Sequence, residues 1–176
     1  MILAVFVDDV TSCFSPADRQ EWLEYKQIIK TKYEITDLGR IHHLLGMKIK
    51  YENETLLIEQ QQYVVDKLDA FGLANCTSVS TPESQEKISS TQEGDMVTDL
   101  TKYRSLLGAA LYLAHVTRVD IMHAVHKLSR FMHAPNQSHM TAATRIYRYL
   151  KDAKNYGLVY KNHTNEKSIT ITYWLL

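Results

Sequence analysis

The chain is poor in the residues that staple or break a fold. It holds two cysteines, three prolines and six glycines in 176 residues. Cys13 and Cys76 show no metal-ligand spacing, so free thiols in a reducing compartment are the default. No apolar run approaches the roughly 20 residues of a membrane span. No charged-then-apolar leader precedes the first strand, although the chain opens on an apolar run. There is no Gly-rich phosphate loop. No Ser/His/Asp or Cys/His arrangement for nucleophilic catalysis stands out.

What is present is enough for a core. Hydrophobic residues make up 45% of the chain, which suits one or two small globular domains. The net charge is zero, but the two signs are segregated. From Tyr51 to Asp99 ten acidic residues face two basic ones, Lys67 and Lys87. From Leu100 to the end eleven basic residues face three acidic ones. A basic half fits a phosphate-backbone partner. Two solvated faces that offset one another account for the same pattern.

The stretch Ile2-Leu3-Ala4-Val5-Phe6-Val7-Asp8-Asp9-Val10 organises the rest. Its apolar, β-branched run predicts a strand buried on both faces. Asp8-Asp9 tolerates the backbone angles of a two-residue hairpin turn. Two adjacent carboxylates are unfavourable unless a cation sits between them. A divalent metal is one answer, since Mg²⁺ favours one or two carboxylates plus substrate phosphates. A plain solvated turn is the other.

Several helices and hairpins follow from periodicity. Ser15-Pro16 opens a helix on which Trp22, Tyr25, Ile29 and Tyr33 form one core stripe. Ile35 to Gly39 reads as a strand. His42 to Tyr51 alternates, with Met47, Ile49 and Tyr51 opposite Lys48 and Lys50. A turn at Asn53 and a returning strand, Thr55 to Glu59, make a second hairpin. Gln60 to Phe71 is helical, with Val64, Leu68 and Phe71 on one face and Gly72 as its stop. Ala74 to Asp99 lacks periodicity and reads as a loop or linker.

Leu100 to His115 forms the next helix, with Asp99 as cap and Leu106, Ala110 and Leu113 as its buried stripe. Gly108-Ala109-Ala110 leaves room there for close approach of another element. Asp120 is the expected cap of a further helix carrying Ile121, Val125, Leu128 and Met132 on one face. Ser138 is the expected cap of a last one, with Ala143, Ile146, Tyr147 and Leu150 inward. Arg145, Arg148, Lys151 and Lys154 recur every three residues there, and Lys127 and Arg130 can join them. Such a face gives salt-dependent, sequence-blind phosphate binding, or is simply solvated. His123 and His126 lack a third ligand at a sensible zinc spacing. Tyr156 to Trp174 reads as a closing hairpin around Asn162 to Glu166.

Phe6-Val7-Asp8-Asp9 resembles the Tyr-X-Asp-Asp box of reverse transcriptases, with Phe for Tyr. Asp37-Leu38-Gly39, Leu45-Gly46-Met47-Lys48-Ile49, Gln62-Tyr63, Phe71-Gly72-Leu73 and Thr81-Pro82 follow in the order of copia-type retrotransposon polymerases. So do Tyr103 to Gly108, Leu111 to Ala114, Thr117-Arg118, Asp120-Ile121, Leu128 to Met132 and Arg148 to Lys151. Val119 stands where the family usually has Pro.

The resemblance implies an α+β chain: a partial palm at 1–59, a first thumb helix and acidic linker at 60–99, and a helical thumb or connection at 100–155. Residues 156–176 then lead towards an absent ribonuclease H domain. It implies two-metal nucleotidyl transfer with Mg²⁺ or Mn²⁺, Asp8 and Asp9 being the catalytic and metal-binding carboxylates. Phe6, Leu45, Gly46, Lys48, Arg130, Arg145, Arg148 and Lys151 would contact primer or nucleic acid. The implied partners are an RNA/DNA primer–template duplex and the other parts of a polyprotein, with no membrane, in a cytoplasmic, virus-like-particle setting. The family's fingers and first metal carboxylate come before its Asp-Asp box. The chain is therefore expected not to polymerise DNA alone. The closing Tyr173-Trp174-Leu175-Leu176 does not match the family and is expected to be a frame-shifted or truncated end.

Overall fold

Strands form where β-branched and aromatic residues come in short runs, and helices where apolar residues recur every three or four. The computed structural model describes residues 1–7, 9–52, 55–85, 96, 99–161 and 170–175, the last six as backbone. Asp8, the Asn53 turn, much of the 74–99 linker and the turn at Asn162 to Glu166 lie outside the described residues. The fold is mixed α and β, with antiparallel sheets and five α-helices among the described residues. The chain divides into two compact units, Met1–Leu57 with Val159–Leu176, and Ile58–Leu158.

The first unit is built on a four-stranded sheet. Strands β1 (Ile2–Phe6) and β2 (Asp9–Phe14) form an antiparallel hairpin. After a 3-10 turn at Pro16–Asp18 comes helix α1 (Arg19–Lys32), then β3 (Thr36–Arg40). Ser15 precedes that turn but makes no side-chain cap bond to the backbone. Its hydroxyl donates instead to Asp18 Oδ2, 2.9 Å away.

The late strand β8 (Thr170–Leu175) lies between β2 and β3 and is antiparallel to both, so the order is β1-β2-β8-β3. β1 is thus an edge strand. Ile2, Val5 and Phe6 are exposed on it, which corrects the expectation of a strand buried on both faces. An apolar run specifies a strand but not its place in the sheet.

β2 alternates: Val10, Ser12 and Phe14 are buried, and Asp9, Thr11 and Cys13 look the other way. Val10 and Phe14 pack on Trp22 of α1, and the Phe14 and Trp22 rings stack at 5.4 Å. Only Trp22 of the expected α1 stripe is buried. Ile29 is half-buried, while Tyr25 and Tyr33 are exposed. β3 is bulged between Asp37 and Arg40, where Gly39 takes φ +73° and its N–H donates to Asp37 Oδ1 at 3.1 Å. A left-handed residue at a bulge is the position glycine fits best.

β4 (His43–Leu44), β5 (Met47–Glu52), β6 (Thr55–Glu59) and β7 (Gly157–Lys161) make a second sheet in that order. Leu45 and Gly46 turn the chain between β4 and β5, so the run His42 to Tyr51 is a tight hairpin rather than one strand. The two strands read as a closing hairpin lie in separate sheets, β7 beside β6 and β8 between β2 and β3. Gly157 is required in β7, because a Cβ there would run into the Ile58 carbonyl oxygen and stand 3.2 Å from Glu59 Cβ.

The second unit is helical. Its helices are α2 (Gln61–Ala70), α3 (Leu100–Val116), α4 (Met122–Ser129) and α5 (Gln137–Asp152). Of the residues expected inward, Val64 and Leu68, Leu106, Ala110 and Leu113, Ile121, Val125 and Leu128, and Ala143, Ile146, Tyr147 and Leu150 are buried, while Phe71 and Met132 are half-buried against the same core, which also holds Tyr103. Each large apolar side chain so buried contributes about 1.5–3 kcal/mol. Two buried hydroxyls tie the helices across the core. Tyr103 donates to the Leu128 carbonyl at 2.9 Å, and Tyr147 to the Leu106 carbonyl at 2.7 Å. Burial drives both phenols well above the usual tyrosine range.

Asp99 caps α3 by accepting from the Lys102 N–H at 2.8 Å. Three details correct the sequence reading. Gly108 faces open space rather than a neighbouring element. α5 is capped by Asn136, not Ser138: Asn136 Oδ1 accepts from the His139 N–H, and His139 Nδ1 accepts from the Asn136 N–H in return. Asp120 caps nothing, because Arg118 and Tyr149 hold its carboxylate.

Candidate nucleic-acid interface

The first candidate feature is the tip of the β1–β2 hairpin. Pairing of Phe6 with Asp9 closes the ladder. Asp9 therefore stands in the strand ladder and not in the turn, which corrects the expectation that Asp8 and Asp9 are the two turn residues. Val7 has φ +54°. A β-branched side chain disfavours that left-handed conformation, so the tip carries local strain of about 1–3 kcal/mol. Phe6 and Asp9 are cross-strand neighbours on the sheet face turned away from α1, because Val10 and Phe14 occupy the α1 side. Asp9 is half-buried and Phe6 is 58% exposed. The tip thus offers a carboxylate beside an open aromatic face.

The second feature is the β4–β5 turn. Leu44 pairs with Met47 across Leu45 and Gly46, whose φ values are +47° and +77°. Two left-handed residues in a two-residue loop define a type I′ turn, which normally wants Asn-Gly. Leucine at the first position is strained and 44% exposed at the tip. Lys48, on β5 beyond the turn, is exposed. Val7 and Leu45 are the two positive-φ residues other than glycine among the described residues. Backbone strain of this kind persists where the surrounding structure holds it, often at working sites.

The third feature is the basic side of α4 and α5. Arg130 is exposed at the C-terminal cap of α4. Arg145, Arg148 and Lys151 are half-buried on α5 and hold an extended segment of their own chain. Arg145 Nη2 donates to Thr81 Oγ1 at 2.9 Å, Arg148 Nε to the Thr77 carbonyl at 2.7 Å, and Lys151 Nζ to the Cys76 carbonyl at 2.7 Å. Glu83 binds His123 and stands 3.4 Å from Lys127 Nζ. Periodicity finds the cations but not this strap, since backbone carbonyl acceptors leave no trace in a sequence.

A buried polar node completes the second unit. Arg118 is 1% exposed and bidentate to Asp120, at 3.0 and 2.7 Å. Its guanidinium lies 5.7 Å from the Tyr149 ring centre and 5.5 Å from that of Tyr156. Tyr149 donates to Asp120 Oδ2 at 2.7 Å. Burial works against the Asp120 carboxylate, but Arg118 and Tyr149 hold its pKa below the usual range.

Residues 1–85 match the reverse transcriptase (RNA-dependent DNA polymerase) family. The chain is 35% identical over 133 residues, 76% of its length, to the retrovirus-related Pol polyprotein from transposon RE1 of Arabidopsis thaliana, of which it covers 9%. It is 32% identical over 161 residues, 86% of its length, to the corresponding polyprotein from transposon TNT 1-94 of Nicotiana tabacum, of which it covers 12%. The chain belongs to the reverse transcriptase family of copia-type retrotransposon Pol polyproteins. An uncharacterized mitochondrial protein of Arabidopsis thaliana is 31% identical over 92% of the chain, and the match covers 66% of that protein. No solved structure matches. The chain thus spans about a tenth of the Pol polyproteins it matches.

Reverse transcriptases carry out metal-dependent chemistry, which calls for grouped carboxylates. Among the described residues no three His, Cys, Asp or Glu side chains are grouped to hold a metal ion. Asp37 cannot assist Asp9. It pairs with Trp174 where Asp9 pairs with Leu175, so the two carboxylates project from opposite faces of the sheet. Asp37 is instead bound to Lys26 of α1. Burial opposes its ionisation, but hydrogen bonds from Lys26 and the Gly39 N–H keep its pKa below the usual range. Asp8, the other carboxylate of the box, lies outside the described residues. The described side chains therefore do not make a metal site by themselves. No helix among the described residues is long and apolar enough to cross a membrane.

Proposed function

We propose that this chain is the segment of an RNA-directed DNA polymerase that carries the catalytic Asp8-Asp9 hairpin, and that it requires further carboxylates from elsewhere in a Pol polyprotein. The observation that supports this most is the Phe6–Asp9 pair at a strained hairpin tip. An exposed ring beside a carboxylate has no packing purpose on an edge strand, whereas a base at a primer end can stack on it. Asp8 and Asp9 would contribute to a Mg²⁺ or Mn²⁺ set. Leu45, Gly46 and Lys48 would touch the primer strand. Arg130, Arg145, Arg148 and Lys151 would meet phosphates of an RNA/DNA duplex. A cytoplasmic setting goes with this reading.

Primer extension on an RNA template tests it. The chain alone should not extend a primer with either metal. A Pol polyprotein containing this segment should extend one, and Asp8→Asn or Asp9→Asn should abolish extension while leaving hybrid binding unchanged. Undiminished extension by the Asp9→Asn polyprotein would refute the assignment.

A further inference from the structure

Arg145, Arg148 and Lys151, three of the cations expected to grip phosphates, are already engaged by the chain itself. The strap, Cys76 to Glu83, contains no helix or strand. It runs against the direction of α5: Cys76 meets Lys151, Thr77 meets Arg148, and Thr81 meets Arg145. Donors three residues apart on a helix are spaced about 4.5 Å along its axis, so the strap presents them with a row of oxygens. The Val79 N–H closes the row by donating to the Arg148 carbonyl at 3.4 Å.

We propose that this strap is an internal competitor for nucleic-acid phosphates, and that it lifts from α5 when a duplex binds. The proposal rests on the reading of α4 and α5 as a phosphate-binding surface.

The strap is built to be displaced. Its acceptors at Arg145, Arg148 and Lys151 are neutral carbonyl and hydroxyl oxygens. A phosphate oxygen brings a negative charge that these acceptors lack, and a phosphate can take two N–H groups of one guanidinium at once. The only carboxylate the described strap contributes is Glu83, at His123 and Lys127. Thr77, Ser78, Ser80 and Thr81 are exposed, and Val79 is no more than half-buried. A segment with so few buried apolar contacts opens at low cost. A cleft lined by Pro82, Glu83, Ala124, Lys127, Leu128 and Arg145 underlies its end. Arg145 Nε is buried there without a hydrogen-bond partner. The strapped arrangement thus leaves part of that guanidinium unsatisfied, and a bidentate phosphate would use it.

The test uses the whole chain, a fluorescein-labelled RNA–DNA hybrid and a charge-neutral double variant, Thr81→Val with Val79→Pro. The variant removes the Arg145 acceptor and the Val79 donor, and far-UV circular dichroism should show its helices unchanged. It should bind the hybrid several-fold to about tenfold more tightly than the native chain at low salt. In the native chain, saturating hybrid should accelerate amide exchange at Val79, which reads strap release directly. Val79 remaining protected in the bound complex, or equal affinity of variant and native chain, overturns the proposal and leaves the nucleic-acid reading standing. Absence of binding by both forms at low salt overturns the two together.

Discussion

Replacing Arg118 by Met should destabilise the helical unit by about 2–4 kcal/mol, a range set by geometry and by the usual strength of buried ion pairs. Arg118 is buried, makes two bonds to Asp120 and lies within about 6 Å of two tyrosine ring centres, at 5.7 and 5.5 Å. Bonds to charged groups contribute about 1.5–3 kcal/mol each, and a desolvated cation near aromatic faces adds roughly 0.5–2 kcal/mol. Removing one partner of a fully buried pair costs about 3–5 kcal/mol. Asp120 keeps 33% of its side chain exposed, so it regains water when the guanidinium leaves, and screening lowers the total. Met preserves most of the buried stem volume, which separates loss of the ion pair from loss of packing.

The two tryptophans, Trp22 and Trp174, both belong to the first unit, whereas α2 to α5 belong to the second. Urea unfolding should therefore show the loss in far-UV circular dichroism and not in tryptophan fluorescence. A loss below about 0.5 kcal/mol, the range of ordinary surface changes, would refute the claim that Arg118 pins this unit.

Acidification should weaken the same node. The Asp120 pKa is lowered in the folded state, so its contribution is present above the unfolded value of about 4 and is lost as pH falls through the folded one. Asp120→Asn should flatten that part of the stability-versus-pH curve, which a series of urea midpoints would show. Tyr147→Phe leaves the Leu106 carbonyl, now 2.7 Å from the hydroxyl, without that donor, and should cost about 1–3 kcal/mol in the circular dichroism transition. Val7→Gly relieves a left-handed β-branched residue worth about 1–2 kcal/mol, less roughly 0.5–1 kcal/mol of added chain entropy. Tryptophan fluorescence should thus report a first unit as stable as the native one or up to about 1.5 kcal/mol more stable.

The helices of the second unit are legible in the sequence because each buries a stripe with the period of its own backbone. Leu106, Ala110 and Leu113, or Ala143, Ile146, Tyr147 and Leu150, carry that information locally. The sheet of the first unit is less legible. Ile2 to Phe6 has the composition of a central strand but lies at an edge. The centre is held by β8, far away along the chain, and strand order over that separation is not a local property. Capping departs from expectation at three points for one reason: a side chain that looks free to cap in sequence has another partner in space, as Ser15 has Asp18. Asp120 is taken by Arg118, and Asn136 with His139 fills the place expected of Ser138. The hairpin tip is legible in its residues but shifted by one in register, and that shift leaves Asp9 opposite Phe6 rather than in the loop.

The motif residues divide into two physical kinds, and the division bears on function. Tyr103, Arg118, Asp120 and Tyr149 are tied into hydrogen-bond networks of the helical unit, so changing them should act through stability. Phe6 and Leu45 are exposed at or beside strained turns and add little to any core. A sequence selected only to fold would replace such residues with Asn, Gly or a charged side chain, as turn geometry and edge protection favour. Their presence at two separate turns is therefore better explained by something outside the chain that uses their surfaces. Substituting Phe6 or Leu45 should then change nucleic-acid binding or extension at nearly constant stability, the reverse of what Arg118 and Tyr147 should do.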